Sequence, residues 1–416
     1  AADFDGDGHL DVVVGCRGSS EQFQGGQLGL LRGNGAGFED LEEIAFGPRF
    51  AAPTVADFDQ DGALDVAVVR HYPVLPPEIV LLLGDGAGGF SSEVLVASAP
   101  GYLLSSADFN GDGKADLVNG ALAILPGNGD GTFGPASGSG SAGFLDLEVC
   151  DVNLDGVPDV AVGHLFGSVG VYLGDGAGQL VPGGGASPSF SFYQQWNSLA
   201  VGDVDGGEPD ILWGTSFYFQ THMASGSGDG NFSGSSLLLS NPGALDLAVA
   251  DFDLDGANDV AVIYGATSQV LRGHGDGTFD AGVLLPVPTR GWKVLVLDAD
   301  EDGRPDLFTT DRNSGDNGLG SLYLNATGPD TTPPILTCPA GLSVRAPKSA
   351  PQGAFVTFSV SATDLVDPAP TVVCTPPSGS FFPRGTTVVL CSATDASGNR
   401  SSCTFEVVVQ PTLRRR

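Results

Sequence analysis

Seven short acidic segments of the chain carry the residue types that bind metal ions. Each follows the pattern Asp-x-Asp/Asn-x-Asp-Gly-x-x-Asp or a shortened version of it, and we number them loop 1 to loop 7. They begin at Asp3, Asp57, Asp108, Asp151, Asp203, Asp251 and Asp298. Calcium takes about six to eight oxygen ligands, which a tight turn supplies when alternate side chains point inward. The pattern therefore predicts Ca²⁺ sites, up to seven in number.

The ligands follow from the spacing, counted from the first aspartate of each loop as position 0. Side chains at positions 0, 2, 4 and 8 and the backbone carbonyl at position 6 supply oxygens, and glycine at position 5 makes the bend. The predicted metal ligands are Asp3, Asp5, Asp7, His9 and Asp11 in loop 1; Asp57, Asp59, Asp61, Ala63 and Asp65 in loop 2; Asp108, Asn110, Asp112, Lys114 and Asp116 in loop 3; Asp151, Asn153, Asp155, Val157 and Asp159 in loop 4; Asp203, Asp205 and Asp210 in loop 5; Asp251, Asp253, Asp255, Ala257 and Asp259 in loop 6; and Asp298, Asp300, Asp302, Arg304 and Asp306 in loop 7.

Loop 5 departs from the pattern. Its sequence DVDGGEPD is one residue short and lacks the central acid, so Asp210 stands at position 7. An Asx-rich turn that binds no metal is the alternative interpretation of any single loop. Seven aligned copies favour metal binding for the set, with calcium in a structural role, but for loop 5 both interpretations stay open.

The loops imply a repeated β-structure. Successive loops begin 43 to 54 residues apart, which is enough for a four-stranded sheet, and alternating apolar segments flank them. A second marker, Gly-x-Gly-x-Gly-x-Phe, predicts a tight hairpin whose last residue fills the space between neighbouring sheets. It ends at Phe38, Phe90, Phe133, Leu180, Phe232 and Phe279 and is missing from the seventh repeat.

Such sheets cannot each bury two faces alone, so they must stack. Radial closure into a seven-bladed β-propeller does this with few exposed edges. An open β-solenoid is the alternative, although its coils are usually shorter than this period. Because the chain begins inside loop 1 and few residues follow Leu324 before the linker, we expect upstream residues to complete the ring at this seam.

Composition agrees with an all-β protein and limits its partners. Gly 63 and Pro 28 interrupt the 416 residues every few positions, and 41% of the residues are hydrophobic. The net charge of −33 argues against nucleic acid and against anionic membranes as partners. The acids are 40 Asp against 10 Glu, as metal-binding turns favour. No apolar run of 18 residues exists, which predicts no membrane insertion.

A second domain follows a Pro-rich linker near Asp330. We expect a propeller over residues 1–328, an immunoglobulin-like β-sandwich over 329–411 and a basic tail over 412–416. Its predicted strands include Phe355 to Val360, Thr371 to Cys374, Thr386 to Ser392 and Cys403 to Val409. Four cysteines allow three pairings, of which we favour Cys338–Cys403 and Cys374–Cys391. Disulfides indicate an oxidising compartment, whereas Cys16 and Cys150 are interpreted as buried apolar residues.

The alternation of DxDxDG loops with GxGxGxF turns resembles the FG-GAP repeat, also called VCBS-like, of integrin α-subunit propellers and bacterial surface proteins. The tail, with TPPILTCP and GTTVVLCSATDASGNRSSCTFEVVV, resembles the hyalin repeat (HYR), an immunoglobulin-like extracellular module. The resemblance implies that the calcium loop joins the first two strands of a blade on the lower face. The resemblance also implies that partners bind the upper face.

Catalytic motifs are missing from the sequence. The five histidines fall in different repeats, and neither HExxH nor GxSxG occurs. We therefore expect a non-enzymatic, secreted or cell-surface adhesion or recognition scaffold with an unknown protein or glycan partner. The alternative is a lectin-like module, or the accessory propeller of a polysaccharide-degrading enzyme. Aromatic residues that pack between sheets, or alternatively form a sugar platform, are Phe190, Phe192, Tyr193, Trp196, Trp213, Phe217, Tyr218 and Phe219.

Overall fold

A computed structural model gives the architecture of the chain. The structure describes residues 1–16, 26–47, 49–72, 75–91, 93–98, 101–138, 144–164, 168–186, 197–215, 220–239, 244–264, 268–285, 291–311, 320–325, 334–363, 370–394 and 398–411. The chain divides into two compact units, Ala1–Asn325 and Ala326–Arg416. Every regular element among the described residues is a β-strand. The described residues therefore include no helix that could span a membrane.

The described part of the N-terminal unit forms seven antiparallel sheets, one for each acidic loop. Sheet 1 contains β1 (Val12–Cys16), β2 (Gly26–Leu31) and β3 (Glu42–Gly47); sheet 2 contains β4 (Phe50–Ala56), β5 (Asp65–Arg70), β6 (Glu78–Leu82) and β7 (Val94–Ser98); sheet 3 contains β8 (Leu104–Ala107), β9 (Asp116–Asn119) and β10 (Ile124–Leu125). Sheet 4 contains β11 (Phe144–Cys150), β12 (Asp159–His164), β13 (Val169–Gly174) and β14 (Leu180–Ala186); sheet 5 contains β15 (Asn197–Gly202), β16 (Asp210–Thr215), β17 (Gln220–Gly226) and β18 (Phe232–Leu239). Sheet 6 contains β19 (Asp246–Ala250), β20 (Asp259–Ile263), β21 (Gln269–Leu271) and β22 (Val283–Leu284); sheet 7 contains β23 (Gly291–Leu297), β24 (Asp306–Asp311) and β25 (Gly320–Tyr323).

Each acidic loop is a β-hairpin connection. In loop 2, Ala56 at the end of β4 pairs with Asp65 at the start of β5, so the loop closes on its own last aspartate. The corresponding pair closes every other loop, and in loop 1 it is the isolated bridge between Ala2 and Asp11. The predicted position of the motif between two strands is confirmed.

Apolar cores lie between successive sheets. Between sheets 2 and 3, for example, Phe58, Leu81 and Leu117 are buried together. Buried residues of sheet 7 also pack on those of sheet 1, where Phe308 meets Phe38 with ring centroids 5.7 Å apart. The marker aromatics fill these spaces as predicted. The short, β-branched side chains of the strands suit this packing of flat faces.

Trp213 does not form the sugar platform considered above. Its side chain is fully buried in the core between sheets 4 and 5, and it stacks on His222 with ring centroids 5.4 Å apart. The interpretation of this residue as inter-sheet packing is therefore confirmed. The other aromatic residues of the platform lie outside the described residues: Phe190, Phe192, Tyr193, Trp196, Phe217, Tyr218 and Phe219.

The C-terminal unit is also built of strands. They are β26 (Ile335–Thr337), β27 (Leu342–Arg345), β28 (Gly353–Phe355), β29 (Ser361–Thr363), β30 (Thr371–Thr375), β31 (Phe381–Pro383), β32 (Gly385–Thr394) and β33 (Arg400–Gln410). The main sheet has the order β27-β33-β32-β30, and β26 pairs with β29 and β28 with β31. The predicted strand from Phe355 to Val360 is wrong, because β28 ends at Phe355 and the N–H of Val356 donates to the Ser380 carbonyl outside any strand.

The cysteines follow the favoured pairing. Disulfides join Cys338 to Cys403 and Cys374 to Cys391. Cys391 is fully buried in the core of this unit, so the second bridge crosses between neighbouring strands inside the fold. In the N-terminal unit Cys150 is a free thiol whose pKa is raised by burial, and the side chain of Cys16 lies outside the described residues.

Candidate metal centres

Loop 2 shows how the chain shapes an acidic loop. Both oxygens of Asp57 accept backbone N–H groups of the loop, from Asp61 at 3.2 Å and from Gly62 at 3.0 Å. The backbone is left-handed at position 3, where Gln60 has φ 58°, and at position 5, where Gly62 has φ 93°. Glycine takes that conformation without strain, whereas the Cβ of Gln60 makes the same conformation energetically unfavourable. The first aspartate thus holds the loop in a tight curl.

The curl brings carboxylates together. Asp59 Oδ1 accepts the N–H of Asp61 at 3.2 Å, and Asp61 Oδ1 accepts that of Ala63 at 2.8 Å, so the backbone uses one oxygen of each. The residue at position 6 donates in this way in six loops: His9, Ala63, Lys114, Val157, Ala257 and Arg304. The Oδ2 atoms of Asp59 and Asp61 take no part in these bonds and are available as ligand atoms.

Five loops gather three carboxylate oxygens within 4.8 Å of one another. The groups are Asp3, Asp5 and Asp11; Asp57, Asp59 and Asp61; Asp203, Asp205 and Asp210; Asp251, Asp253 and Asp255; and Asp298, Asp300 and Asp302. Loop 5 is among them despite its missing residue. Loops 3 and 4 have Asn110 and Asn153 in the second place, and the amide of Asn153 donates to Asp155 Oδ2 at 2.9 Å. Clustered hard oxygen donors of this kind fit a calcium ion.

The last aspartate of each loop has a second role that the sequence did not reveal. Asp65 is fully buried, and its Oδ2 accepts the N–H of Phe58 at 2.7 Å while its Oδ1 accepts that of Gly84 at 2.8 Å. Burial raises the pKa of the Asp65 carboxyl, and the two N–H groups oppose this effect. The equivalents are Asp11, Asp116, Asp159, Asp210, Asp259 and Asp306, all buried. Each oxygen keeps a second lone pair for an ion.

Gly84 is the first glycine of the second marker, and close approach explains why a glycine stands there. A Cβ at this position would lie 2.2 Å from the carbonyl oxygen of Leu64 in loop 2. In each of sheets 1 to 6 the first marker glycine donates its N–H to Oδ1 of the last aspartate of the loop, as Gly84 does to Asp65. The other donors are Gly33, Gly127, Gly174, Gly226 and Gly273. The two sequence markers are therefore joined inside each of these sheets.

The third glycine of the marker joins neighbouring sheets. The N–H of Gly88 in sheet 2 donates to the carbonyl of Phe4 in loop 1 at 3.0 Å. Equivalent bonds run from Gly131 to Phe58, from Gly178 to Phe109 and from Gly277 to Val204. Glu301 of loop 7 contacts His9 of loop 1, and this hydrogen bond raises the pKa of His9. These contacts join sheets 1 and 2, 2 and 3, 3 and 4, 5 and 6, and 7 and 1, and we call the edge of the sheets where the loops meet the rim.

A charged cluster on the first strands of sheets 4, 6 and 7 was not predicted. Lys293 Nζ lies 3.0 Å from Asp246 Oδ1 and 3.2 Å from both oxygens of Asp146, beside a cavity of about 330 Å³ that Glu148 also lines. The sequence did contain a signal. Asp146, Asp246 and Lys293 each stand five residues before their loop, as charges within alternating apolar strands.

Burial controls the ionisation of this cluster. It raises the pKa of Glu148 to about 8, with further increases from Asp146 and Asp246, while the Val201 N–H and Lys293 lower it. Burial likewise raises the pKa of Asp246 to about 6 against the opposing effect of Lys293. Burial lowers the pKa of Lys293, but the two aspartates outweigh it and hold that pKa above its usual range.

Comparisons with known proteins agree with this architecture. Hyalin of Lytechinus variegatus is 36% identical over 97 residues, 23% of this chain and 18% of hyalin. Phosphatidylinositol-glycan-specific phospholipase D of Bos taurus is 31% identical over 228 residues, 50% of this chain and 23% of that protein. The chain therefore spans less than a quarter of the length of either relative.

A solved Agrocybe aegerita lectin, described as recognising non-reducing terminal N-acetylglucosamine, has a TM-score of 0.52. It is 19% identical, and the match covers 76% of this chain and 90% of the lectin, a likeness that shows a β-propeller fold. Residues 3–68, 108–162, 151–213 and 251–309, more than half of the chain, match the FG-GAP-like repeat, and residues 329–409 match the HYR domain. The chain belongs to the FG-GAP-like repeat family and carries a C-terminal HYR domain.

Proposed function

We propose that this chain is a non-catalytic, extracellular calcium-binding scaffold for adhesion or recognition, built as a seven-bladed β-propeller followed by an immunoglobulin-like sandwich. The observation that carries the proposal is the recurrence of an acidic hairpin loop in each of the seven sheets, and five of these loops gather three carboxylate oxygens within 4.8 Å of one another. In this proposal the seven sheets are the blades, and partners, either proteins or glycans, bind the exposed loops of the ring.

Calcium would be held by the side chains at positions 0, 2 and 4, by the last aspartate and by the carbonyl at position 6. When bound, the ion supplies a positive charge that offsets the repulsion among these carboxylates. The shape of the loop comes from the aspartates themselves. The first aspartate curls the loop, and the last aspartate ties it to the marker hairpin of the same sheet. Calcium therefore stiffens the rim on which neighbouring sheets meet.

An extracellular setting is supported by the two disulfides, because such bonds persist in oxidising compartments. Calcium sites of modest affinity also suit extracellular fluid, where modules bind with dissociation constants of about 10⁻⁴–10⁻³ M. The net charge of −33 favours cations over nucleic acid as partners.

The non-catalytic part of the proposal rests on the histidines, which pack in separate structural contacts. His71 meets Tyr102, His164 meets Phe144, His222 stacks on Trp213 and His274 lies beside Asp280. None of these contacts is a nucleophile–base pair. Because the phospholipase relative is matched over only 23% of its length, its activity is not carried over to this chain.

Calcium titration of the full chain tests the proposal. Equilibrium dialysis at millimolar Ca²⁺ should find several ions per chain, and Ca²⁺ should raise the melting temperature above that in EDTA, with Mg²⁺ as the control. No more than a trace of bound calcium would overturn the metal-binding part. The non-catalytic part predicts no turnover of a phosphatidylinositol-glycan substrate by the calcium-loaded chain, and measurable turnover would overturn it.

A further inference from the structure

We propose that Arg32 and Arg272 are built-in competitors of the metal ion in loops 1 and 6. These two loops then bind calcium more weakly than loops of the same acidic sequence without an arginine. The inference rests on the proposed function, because it takes calcium sites in the other loops as its reference. It assigns a role to two side chains that lie outside the acidic pattern itself.

In loop 6 the guanidinium of Arg272 contacts two predicted ligands. Its Nη2 donates to Asp255 Oδ2 at 3.0 Å, and its Nε lies 2.5 Å from Asp253 Oδ2. The Oδ1 atoms of these carboxylates already accept the N–H groups of Asp255 and Ala257. The guanidinium therefore takes the two oxygens that the backbone leaves for an ion.

In loop 1 the contact is similar but less complete. Arg32 Nη1 donates to Asp5 Oδ2 at 2.8 Å, while Asp5 Oδ1 accepts the N–H of Asp7 at 3.2 Å. The other nitrogens of Arg32 bond to the Gly88 carbonyl and to Glu42. Because Arg32 takes an oxygen from a single ligand, we expect weaker competition in loop 1 than in loop 6.

Both arginines stand directly before the first glycine of the second marker. Leu83 in sheet 2 and Leu173 in sheet 4 stand at the same place. Leu83 and Asp59 of loop 2 both flank Gly131, so the leucine lies beside the loop as the arginines do. Loop 2 has the same four aspartates as loop 6, and it therefore provides a matched comparison inside the chain.

The physical consequence follows from charge. A guanidinium stays protonated at any physiological pH, and its planar donors match carboxylate oxygens. Without metal it offsets the repulsion among the aspartates, so loops 1 and 6 stay ordered. With metal it must move away from the oxygens or remain beside a second positive charge. The free energy of calcium binding is therefore less favourable in these loops than in loop 2.

Isothermal titration with Ca²⁺ on the full chain tests this inference with three variants. Arg272→Leu copies the residue of sheet 2, and Leu83→Arg makes the reverse change in loop 2. Arg70→Leu removes an arginine that pairs with Glu78 and Glu93, and it controls for the loss of a positive charge. Melting in EDTA and in excess Ca²⁺ is measured for each variant.

Arg272→Leu should tighten calcium binding at one site by roughly tenfold or more, because the loss of a competing hydrogen bond to a charged group corresponds to about that factor in affinity. Leu83→Arg should weaken one site by a similar factor. In EDTA Arg272→Leu should melt below the wild type, and Ca²⁺ should remove or reverse this difference. Unchanged site affinities in both variants, or an effect of Arg70→Leu equal to that of Arg272→Leu, would refute the inference. If the wild type itself binds no calcium, the proposed function fails instead.

Discussion

Asn325 binds Asp306 in the same way as the first marker glycine binds the last aspartate in sheets 1 to 6. Its backbone N–H donates to Asp306 Oδ1 at 2.6 Å, and its side-chain amide donates to the carbonyl of Phe252 in loop 6 at 2.5 Å. In sheets 2, 3, 4 and 6 these two bonds come from two different glycines. A single asparagine therefore replaces the missing marker of sheet 7, both within its sheet and toward the preceding one.

Asn325→Ala should lower the stability of the N-terminal unit by about 1 kcal/mol, because it removes the amide bond and keeps the backbone N–H. Urea unfolding followed by tryptophan fluorescence measures this, since Trp196, Trp213 and Trp292 all lie in that unit. Asn128→Ala is the control, as its amide bonds only to Thr132 in an exposed hairpin. Equal midpoints for the two variants would show that the bridge to Phe252 contributes nothing.

The two roles of the loop aspartates can be separated in loop 2. Asp65→Ala should lower the free energy of unfolding by about 3 kcal/mol or more even in EDTA, because it removes two bonds to a buried carboxylate. Asp59→Ala should change stability in EDTA by no more than about 0.5 kcal/mol. In Ca²⁺ the Asp59→Ala variant should bind one calcium ion fewer than the wild type. Equal effects of both variants in EDTA would contradict this division of roles.

The pKa of Glu148 predicts a pH dependence of stability. Its pKa is raised in the folded protein from 4.5 to about 8, so between these values the folded state binds more protons than the unfolded state. Stability contributed by the protonated carboxyl is present at the acid end of this window and is lost as the pH rises toward 8. Glu148→Gln should therefore raise the melting temperature at pH 8, by roughly 2 °C or more, and change it little at pH 5.

Glu148→Gln is measured by melting at both pH values with calcium held constant. Glu208→Gln, a glutamate of the same unit located in loop 5, is the matched control for loss of one negative charge. An equal stabilisation at pH 5 and pH 8 would contradict the assigned ionisation.

The cluster of Lys293 with Asp146 and Asp246 should contribute to the stability of the N-terminal unit. Lys293→Met leaves both carboxylates without their cation, and Asp246 is buried. Removing one partner of a fully buried pair costs about 3–5 kcal/mol, and because the lysine side chain is half exposed we expect about 2 kcal/mol.

Urea unfolding of Lys293→Met and of Lys293→Met/Asp246→Asn measures this contribution. The double variant removes one of the stranded charges and keeps an oxygen for the Val294 N–H, so it should recover part of the loss. A single variant as stable as the wild type would mean that solvent already screens the cluster.

The repeats, the hairpin position of the loops and the inter-sheet aromatics could be predicted from the sequence, because each depends on contacts inside one repeat or between identical neighbours. Phe38, for example, was expected between sheets and packs on Phe308. The cysteine pairing was also correct, although three pairings were open. The strand predicted over Phe355 to Val360 was wrong, because side-chain alternation alone does not show which backbone has a partner.

By itself, the amino-acid sequence determined which residues recur and thus which loops exist. Only the tertiary structure decided which charges meet: Asp146 with Lys293, 147 residues apart in two different sheets, and, within sheet 6, Arg272 with the oxygens of Asp253 and Asp255. The physical reason is that periodicity specifies a local backbone with its inward and outward faces. A charge at one position of a repeat acquires its partner, and therefore its energy, only when the folded strands, within a sheet or in different sheets, bring the two side chains within a few ångströms.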